Sequence, residues 1–267
     1  MRPIARFLTA LALFSICLAA PALADFKKGM AAYEAGDYAT ALKEWRPLAE
    51  RGNTDAQYGL GLIYDSGKGV PQDNAEAARW YRKAAEQGLA SAQSNLGVLC
   101  ARGEGIKQDL AEAARWYRRA AEQEYAMAQF NLGVLYEKGQ GVKQDYAEAI
   151  HWYRRAAEGG GDADAQLNLG LLYAKGQSVP QSYAKAARYY RMAAEQGDAD
   201  AQSNLGLLYA NGQGTVKDEV QAHLWLSLAA AQGNKGAAKE RDLLAKKMTA
   251  DQLARAHKLA RGWKPKK

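Results

Sequence analysis

Apolar and polar positions between Asn53 and Gly233 follow a helical period, and the whole pattern returns about every 36 residues. On a wheel at 100° per residue with Gly61 at zero, Ala56, Leu60, Ile63 and Tyr64 share one arc with that glycine, a predicted buried face. The block Ala-Gln-x-x-Leu-Gly ends on Gly61, Gly97, Gly133, Gly170 and Gly206, at spacings of 36, 36, 37 and 36. A second block, Ala-Arg-Trp-Tyr-Arg or a variant, puts an aromatic at Trp80, Trp116, Trp152, Tyr189 and Trp225 with the same spacings. Each unit therefore reads as two antiparallel helices, in the leading copy from about Thr54 to Ser66 and from about Asp73 to Gln87. Self-similarity at this period predicts an all-α solenoid, in which each helix pair buries its apolar face only against its neighbours.

A glycine in mid-helix costs about 1 kcal/mol relative to alanine. Its recurrence in all five copies argues that the second helix of each pair comes close at that point. Trp80 and Tyr81 are expected to fill the space between repeats, while Ala77, Ala84 and Ala85 keep the second helix thin. The connector Gly67-Lys68-Gly69-Val70-Pro71-Gln72-Asp73 supplies two flexible glycines, an apolar anchor and a helix N-cap. Its fourth copy has Ser178 for the second glycine and Ser182 as the cap, which predicts a stiffer loop without a break. The 37-residue unit reads Glu158-Gly159-Gly160-Gly161-Asp162 where others read Glu-Gln-Gly, so the most flexible junction is expected there.

These residues resemble the Sel1-like repeat family, a relative of the tetratricopeptide repeats. The resemblance rests on Asp-Ala-Gln-Tyr-Gly-Leu-Gly-Leu-Ile-Tyr (55–64), Gly-Lys-Gly-Val-Pro-Gln-Asp (67–73) and Ala-Arg-Trp-Tyr-Arg-Lys-Ala-Ala-Glu-Gln-Gly (78–88), with their copies, and extends from about residue 27 to the end. It implies a right-handed α-solenoid acting as an adaptor, with the first helix of each repeat lining a concave surface. For bacterial members with a signal peptide it implies a place in envelope regulation, polysaccharide export or host interaction. The expected organisation is a signal peptide over 1–24, a tetratricopeptide-like capping pair over 25–52 and repeats over 53–88, 89–124, 125–161, 162–197 and 198–233. Closing helices and a basic tail take up 234–267, with Thr249 as an N-cap.

The first 24 residues have a basic start (Arg2, Arg6), an apolar run from Phe7 to Ala20 and the small-x-small signal Ala22-Leu23-Ala24, which predicts secretion and cleavage after Ala24. Cys17 lacks the small residue before it that a lipoprotein signal needs. The mature chain is expected to be a periplasmic or secreted monomer without an integral membrane segment. Its only cysteine, Cys100, occupies the slot of Tyr64, Tyr136, Tyr173 and Tyr209 and is expected to act as a small buried hydrophobe that leaves the second repeat looser. The net charge of +7 is interspersed along helix faces outside Lys264–Lys267, which does not imply a nucleic-acid partner. That tail reads as a frayed, solvated end.

No constellation for chemistry emerges, and neither cofactor nor metal is expected. Ser182-Tyr183-Ala184-Lys185 has the Ser-x-x-Lys form of penicillin-recognising enzymes, but without their Ser-Asp-Asn or Lys-Thr-Gly companions. His151, His223 and His257 are scattered and lack neighbours at ligand spacing. Two function classes stand: a protein- or peptide-binding scaffold, favoured, and an envelope hydrolase or peptidoglycan- or β-lactam-binding protein. The candidate binding face comes from the wheel. The position after each repeat glycine lies opposite the buried arc and should be polar, yet it is Leu62, Val98, Val134, Leu171 and Leu207. Tyr58, Phe130 and Leu167 flank this ridge on one side, and Asn95, Asn131, Asn168 and Asn204 on the other. An apolar floor edged by amides would suit a partner helix or extended peptide.

Overall fold

The computed structural model describes residues 25–266, and all regular structure within them is helical. The expected signal segment over 1–24, Cys17 included, lies outside the described residues. Helix α1 occupies 25–34. The N-terminal pair is completed by α2 (Tyr38–Glu50), whose entry is capped by Asp37 accepting from the Thr40 amide at 3.1 Å. The repeats follow as α3 (Thr54–Ser66) with α4 (Asn74–Glu86), α5 (Ala90–Arg102) with α6 (Leu110–Glu122), and α7 (Ala126–Lys138) with α8 (Tyr146–Gly159). The last two are α9 (Ala163–Lys175) with α10 (Tyr183–Gln196), and α11 (Ala199–Asn211) with α12 (Glu219–Ala231). Helices α13 (Lys235–Ala245) and α14 (Ala250–Gly262) close the chain, with Thr249 and Gln252 forming a reciprocal capping box.

The chain divides into two compact units, up to Ala120 and from Ala121. In the first, α2 packs on α3, α3 on α4 and α4 on α5. Trp45, Leu48, Leu60, Ile63 and Trp80 form one core there with Ala41, Ala49 and Ala56. In the second, each helix from α7 to α13 packs on the next, and α14 covers α12. Its core joins Tyr153, Leu169, Leu172, Tyr189, Tyr190, Leu205 and Trp225 through a run of buried alanines.

The repeat glycines do what their cost requires. A Cβ at Gly97 would stand 2.6 Å from the Tyr117 ring, at Gly133 2.7 Å from Tyr153 and at Gly206 2.8 Å from Leu226. Each is far inside ordinary carbon–carbon contact. The connectors follow one scheme: Gly67 ends α3 in the left-handed region, and Asp73 accepts from the Ala75 and Glu76 amides to start α4. Ser178 takes the same left-handed φ of 57° as the glycines it replaces, and Ser182 caps α10 through the Lys185 amide. Tyr64, placed by the wheel on the buried arc, is only half-buried because its ring reaches out to the Arg46 guanidinium.

Two segments take a defined form. The triple glycine over 159–161 is held by specific contacts. Gly160 and Asp162 both donate to the Ala156 carbonyl at 3.1 Å, the Gly161 carbonyl accepts from Gln196 at 2.8 Å, and a Cβ on Gly160 would collide with Ala126. The next junction is held by the same kind of bonds, Asp198 donating to the Ala193 carbonyl at 3.1 Å and Gln232 to the Gly197 carbonyl at 3.0 Å, so the inserted residue is fastened as its neighbour is. The C-terminal tail is exposed, as a solvated end should be, but it is tied down at Lys266. The Lys266 amide donates to the Glu195 carbonyl at 2.7 Å and its ammonium pairs with the Glu195 carboxylate at 2.7 Å, so the chain after Trp263 lies against the end of α10.

The glutamine of Ala-Gln-x-x-Leu-Gly proves to be the joint between repeats. Gln57, Gln93, Gln129, Gln166 and Gln202 are buried, and their amides donate to the carbonyls of Ala49, Ala85, Ala121, Ala157 and Ala194 at 2.9–3.2 Å. Each accepting carbonyl lies in the last turn of the preceding helix, where intrahelical partners run out. Gln57, Gln166 and Gln202 also accept, at 2.7–2.9 Å, from Gln87, Gln196 and Gln232 of their own repeats.

Candidate functional site

The first helix of each repeat presents the predicted stripe, and its burial is intermediate throughout. Tyr58, Leu62, Asn95, Val98, Phe130, Asn131, Val134, Leu167, Asn168, Leu171, Asn204 and Leu207 are all partly buried. In the second unit Phe130, Val134, Leu167 and Leu171 lean on the main core, and Leu207 packs against Leu226, Ala229 and Ala237. Part of each side chain thus serves packing between successive helices, and part faces outward. The wheel supplies a direction but not the distance to the next helix, so it overstated the exposure.

The amide edge is also partly engaged. The Tyr81 hydroxyl donates to Asp65 at 3.1 Å and is met by Asn95 of the next repeat. Tyr153 donates to Glu137 at 2.6 Å and is met by Asn168. Burial first, with the adjacent carboxylate acting in the same direction, drives both phenols well above the usual tyrosine range, so they remain donors at any ordinary pH. Asn95 and Asn168 therefore join neighbouring repeats in addition to bordering the stripe.

On the second helices a different pairing recurs. The indole N–H groups of Trp80, Trp116 and Trp152 donate at 3.1 Å to Glu76, Glu112 and Glu148, each one helical turn earlier. The fourth repeat changes both partners together: Lys185 stands where the glutamate was and Tyr189 where the tryptophan was. Tyr189 now donates to Glu158 at 2.9 Å, and the Lys185 ammonium lies 5.0 Å over the Tyr173 ring. Ser182, as the cap of α10, accepts from the Lys185 amide at 3.3 Å. Both residues of the Ser-x-x-Lys sequence thus have structural employment. In the fifth repeat Gln221 replaces the glutamate, and the buried Trp225 indole N–H has no partner.

Cys100 is fully buried, and its thiol is pushed up to about 11, chiefly by burial and then by the Glu112 charge. His223 and His257, separated by 34 residues in sequence, are not scattered: their rings meet edge-on at 5.2 Å between α12 and α14. Packing of the closing helix against the last repeat brings them together, which linear spacing could not reveal. No group of three or more potential metal ligands occurs among the described residues. A recess in the second unit is lined by Glu124, Gln129, His151, Arg154, Arg155 and Glu158. Its cations are already engaged, Arg155 with Glu124 at 3.5 Å and Arg154 with the Tyr173 hydroxyl at 2.9 Å. No helix among the described residues is long and apolar enough to cross a membrane.

Comparison with protein families matches the Sel1 repeat at residues 54–89, 90–125, 126–161, 163–198 and 199–234. Among solved structures, a protective antigen of uropathogenic Escherichia coli strains with an SLR fold is 36% identical, with a TM-score of 0.83 over 94% of this chain. The chain spans only 55% of that protein's length. A Sel1 repeat protein from Oxalobacter formigenes is 41% identical, with a TM-score of 0.75 over 80% of this chain and 88% of its own. Comparison with curated proteins gives no match.

Proposed function

The chain belongs to the Sel1 repeat family, and on that premise we propose that it is a non-catalytic binding scaffold, exported to the periplasm or beyond. Its first helices take up a helix or extended peptide of a protein partner. One observation carries the reading: all five repeats keep an aliphatic side chain after the packing glycine, and all five side chains are half-buried. Aliphatic groups that are partly open at a fixed interval offer a linear partner a repeated foothold, with Asn131 and Asn204 beside them to meet its backbone. In the second unit, Val134, Leu171 and Leu207 with Phe130 and Leu167 form the favoured stretch. Leu62, Val98, Tyr58 and Asn95 are its counterparts in the first. Kinship with a protective antigen is in keeping with an exported, partner-facing role.

The test is Leu171→Lys in the full chain, with partner capture and thermal melting read in parallel. The lysine stem can lie along the apolar surface while its charge reaches water, so melting should change little. Capture should fall about ten-fold or more if the partner's apolar groups must now meet an ammonium. A large fall in melting temperature with capture per folded molecule unchanged would make the stripe purely structural.

A further inference from the structure

The positive charge of the chain is concentrated at one end. Residues 234–267 hold 11 Lys and Arg against three Asp and Glu, a net +8, which leaves −1 for residues 1–233 of the total +7. Within that end, a cleft opens between α12 and α14. Leu224, Leu259, Gly262 and Trp263 supply its apolar lining, and Arg255 and Lys258 its cations. Leu224 is 6% exposed, whereas Leu259 is 44% exposed.

Three features make the cleft a formed site. Trp263 is set edge-on to Trp225 at 6.3 Å, which fixes one wall. The tail beyond it is fastened through Lys266 to Glu195 on α10, and neither residue is among those that line the cleft. Among the described residues neither Arg255 nor Lys258 forms an ion pair, while their neighbours Arg241 and Lys266 are paired with Asp242 and Glu195.

We propose that this cleft is a second docking site, and that it takes an acidic linear segment of a protein partner bearing one aromatic or aliphatic anchor. Charge complementarity selects the segment: two unpaired cations on a net-positive end attract carboxylates and orient them. Shape selects the anchor, because a concavity with an apolar floor accepts a single side chain against Leu224 and Trp263. An anionic bilayer is disfavoured by the same shape. Bilayer binding needs a continuous protruding apolar face, and here only Leu243 and Leu259, on different helices, are exposed large hydrophobics.

The probe is a fluorescent dodecapeptide of glutamates and aspartates around a central Phe-Leu pair, followed by anisotropy against the full chain at physiological salt. The expected result is saturable binding that weakens about ten-fold in both Arg255→Glu and Lys258→Glu, the size of one lost charge contact. Leu259→Ser should weaken it as well. All three positions are exposed, so melting serves as the control for folding. An equally charged peptide without the Phe-Leu pair should bind at least several-fold more weakly, and Leu171→Lys should bind as the parent does. Equal binding of the two peptides, or indifference to Arg255→Glu and Lys258→Glu, overturns the proposal. Sedimentation with phosphatidylglycerol vesicles in the absence of peptide binding also overturns it and assigns the end to a membrane surface.

Discussion

Replacing Gly133 with alanine tests whether close helix approach, and not chance, keeps glycine in the middle of α7. On helix propensity alone the change should stabilise by about 1 kcal/mol. The added Cβ, however, would stand 2.7 Å from both Cδ1 and Cε1 of Tyr153 and 3.3 Å from the Ala149 carbonyl oxygen. Carbon atoms rest about 3.5–4.0 Å apart, so the ring must retreat by roughly 1 Å. Tyr153 has no room to do so: it is fully buried, and its hydroxyl is fastened to Glu137 at 2.6 Å. Overpacking of such a site costs about 1–3 kcal/mol beyond the propensity gain, which lowers the melting temperature by about 2–10 °C for a chain of this size.

Urea titration followed by circular dichroism measures the loss, and a second variant isolates its cause. In the fifth repeat Leu226 fills the place of the tyrosine opposite Gly206. A leucine in that place still stands 2.8 Å from an added Cβ, so the second variant is Tyr153→Ala, which removes the ring and should relieve part of the Gly133→Ala penalty, with a coupling of about 0.5–3 kcal/mol in the double-mutant cycle. Strict additivity, or a Gly133→Ala variant more stable than the parent, would refute the close-approach argument.

Gln202→Leu removes the cross-repeat donor from the Ala194 carbonyl, which keeps the Gly197 amide at 3.1 Å, and should cost about 0.5–1.5 kcal/mol in chemical denaturation; a neutral result would reduce the joint to packing. Burial, and next the charge of His257, hold the His223 pKa below its ordinary value; Arg241 acts in the same direction and Asp242 against it. The folded state thus disfavours protonation: stability is full above the unfolded histidine value of about 6.5 and falls, by at most about 1.4 kcal/mol per pH unit, as pH drops toward the lowered folded value. Melting from pH 7.5 to 5 should show this component in the parent and lack it in His223→Gln, and identical profiles would refute it. Cys100, buried with a raised pKa, should react with Ellman's reagent at pH 8 only as fast as the chain opens; labelling at the rate of the denatured chain would contradict its burial.

Sequence periodicity located the helices well because each boundary carries its own chemistry. The first helix of repeat 1 runs Thr54–Ser66 as expected, bounded by Asn53, which accepts from the Ala56 amide, and by left-handed Gly67. The approach of the second helix at Gly61 was legible for a similar reason, since only a missing side chain explains a costly residue repeated five times. Contacts that depend on the third dimension were not legible. His223 and His257 meet because α14 folds back onto α12, and Lys266 reaches Glu195 across 71 residues. The glutamine of the repeat block carried a signal in its recurrence, but its task, filling the open end of the preceding helix, becomes visible only when the two helices are seen together. The half-burial of the Leu171 stripe follows from how far apart adjacent first helices stand, and no wheel contains that length.

The glutamine joint also bears on how a chain of this kind can change over time. At each of the five joints the donor comes from the same place in one repeat and the acceptor from the last turn of the helix before it. The connection spans eight residues at four joints and nine at Gln166, so the one insertion is absorbed without altering the bond. A standard connector of this sort makes repeats interchangeable. Duplicating or deleting one whole unit restores every donor to an acceptor and requires no new residue at the seam. Repeat number can then drift by recombination while the fold persists, and the length of the half-buried aliphatic stripe becomes a heritable quantity set by copy number instead of by point substitution.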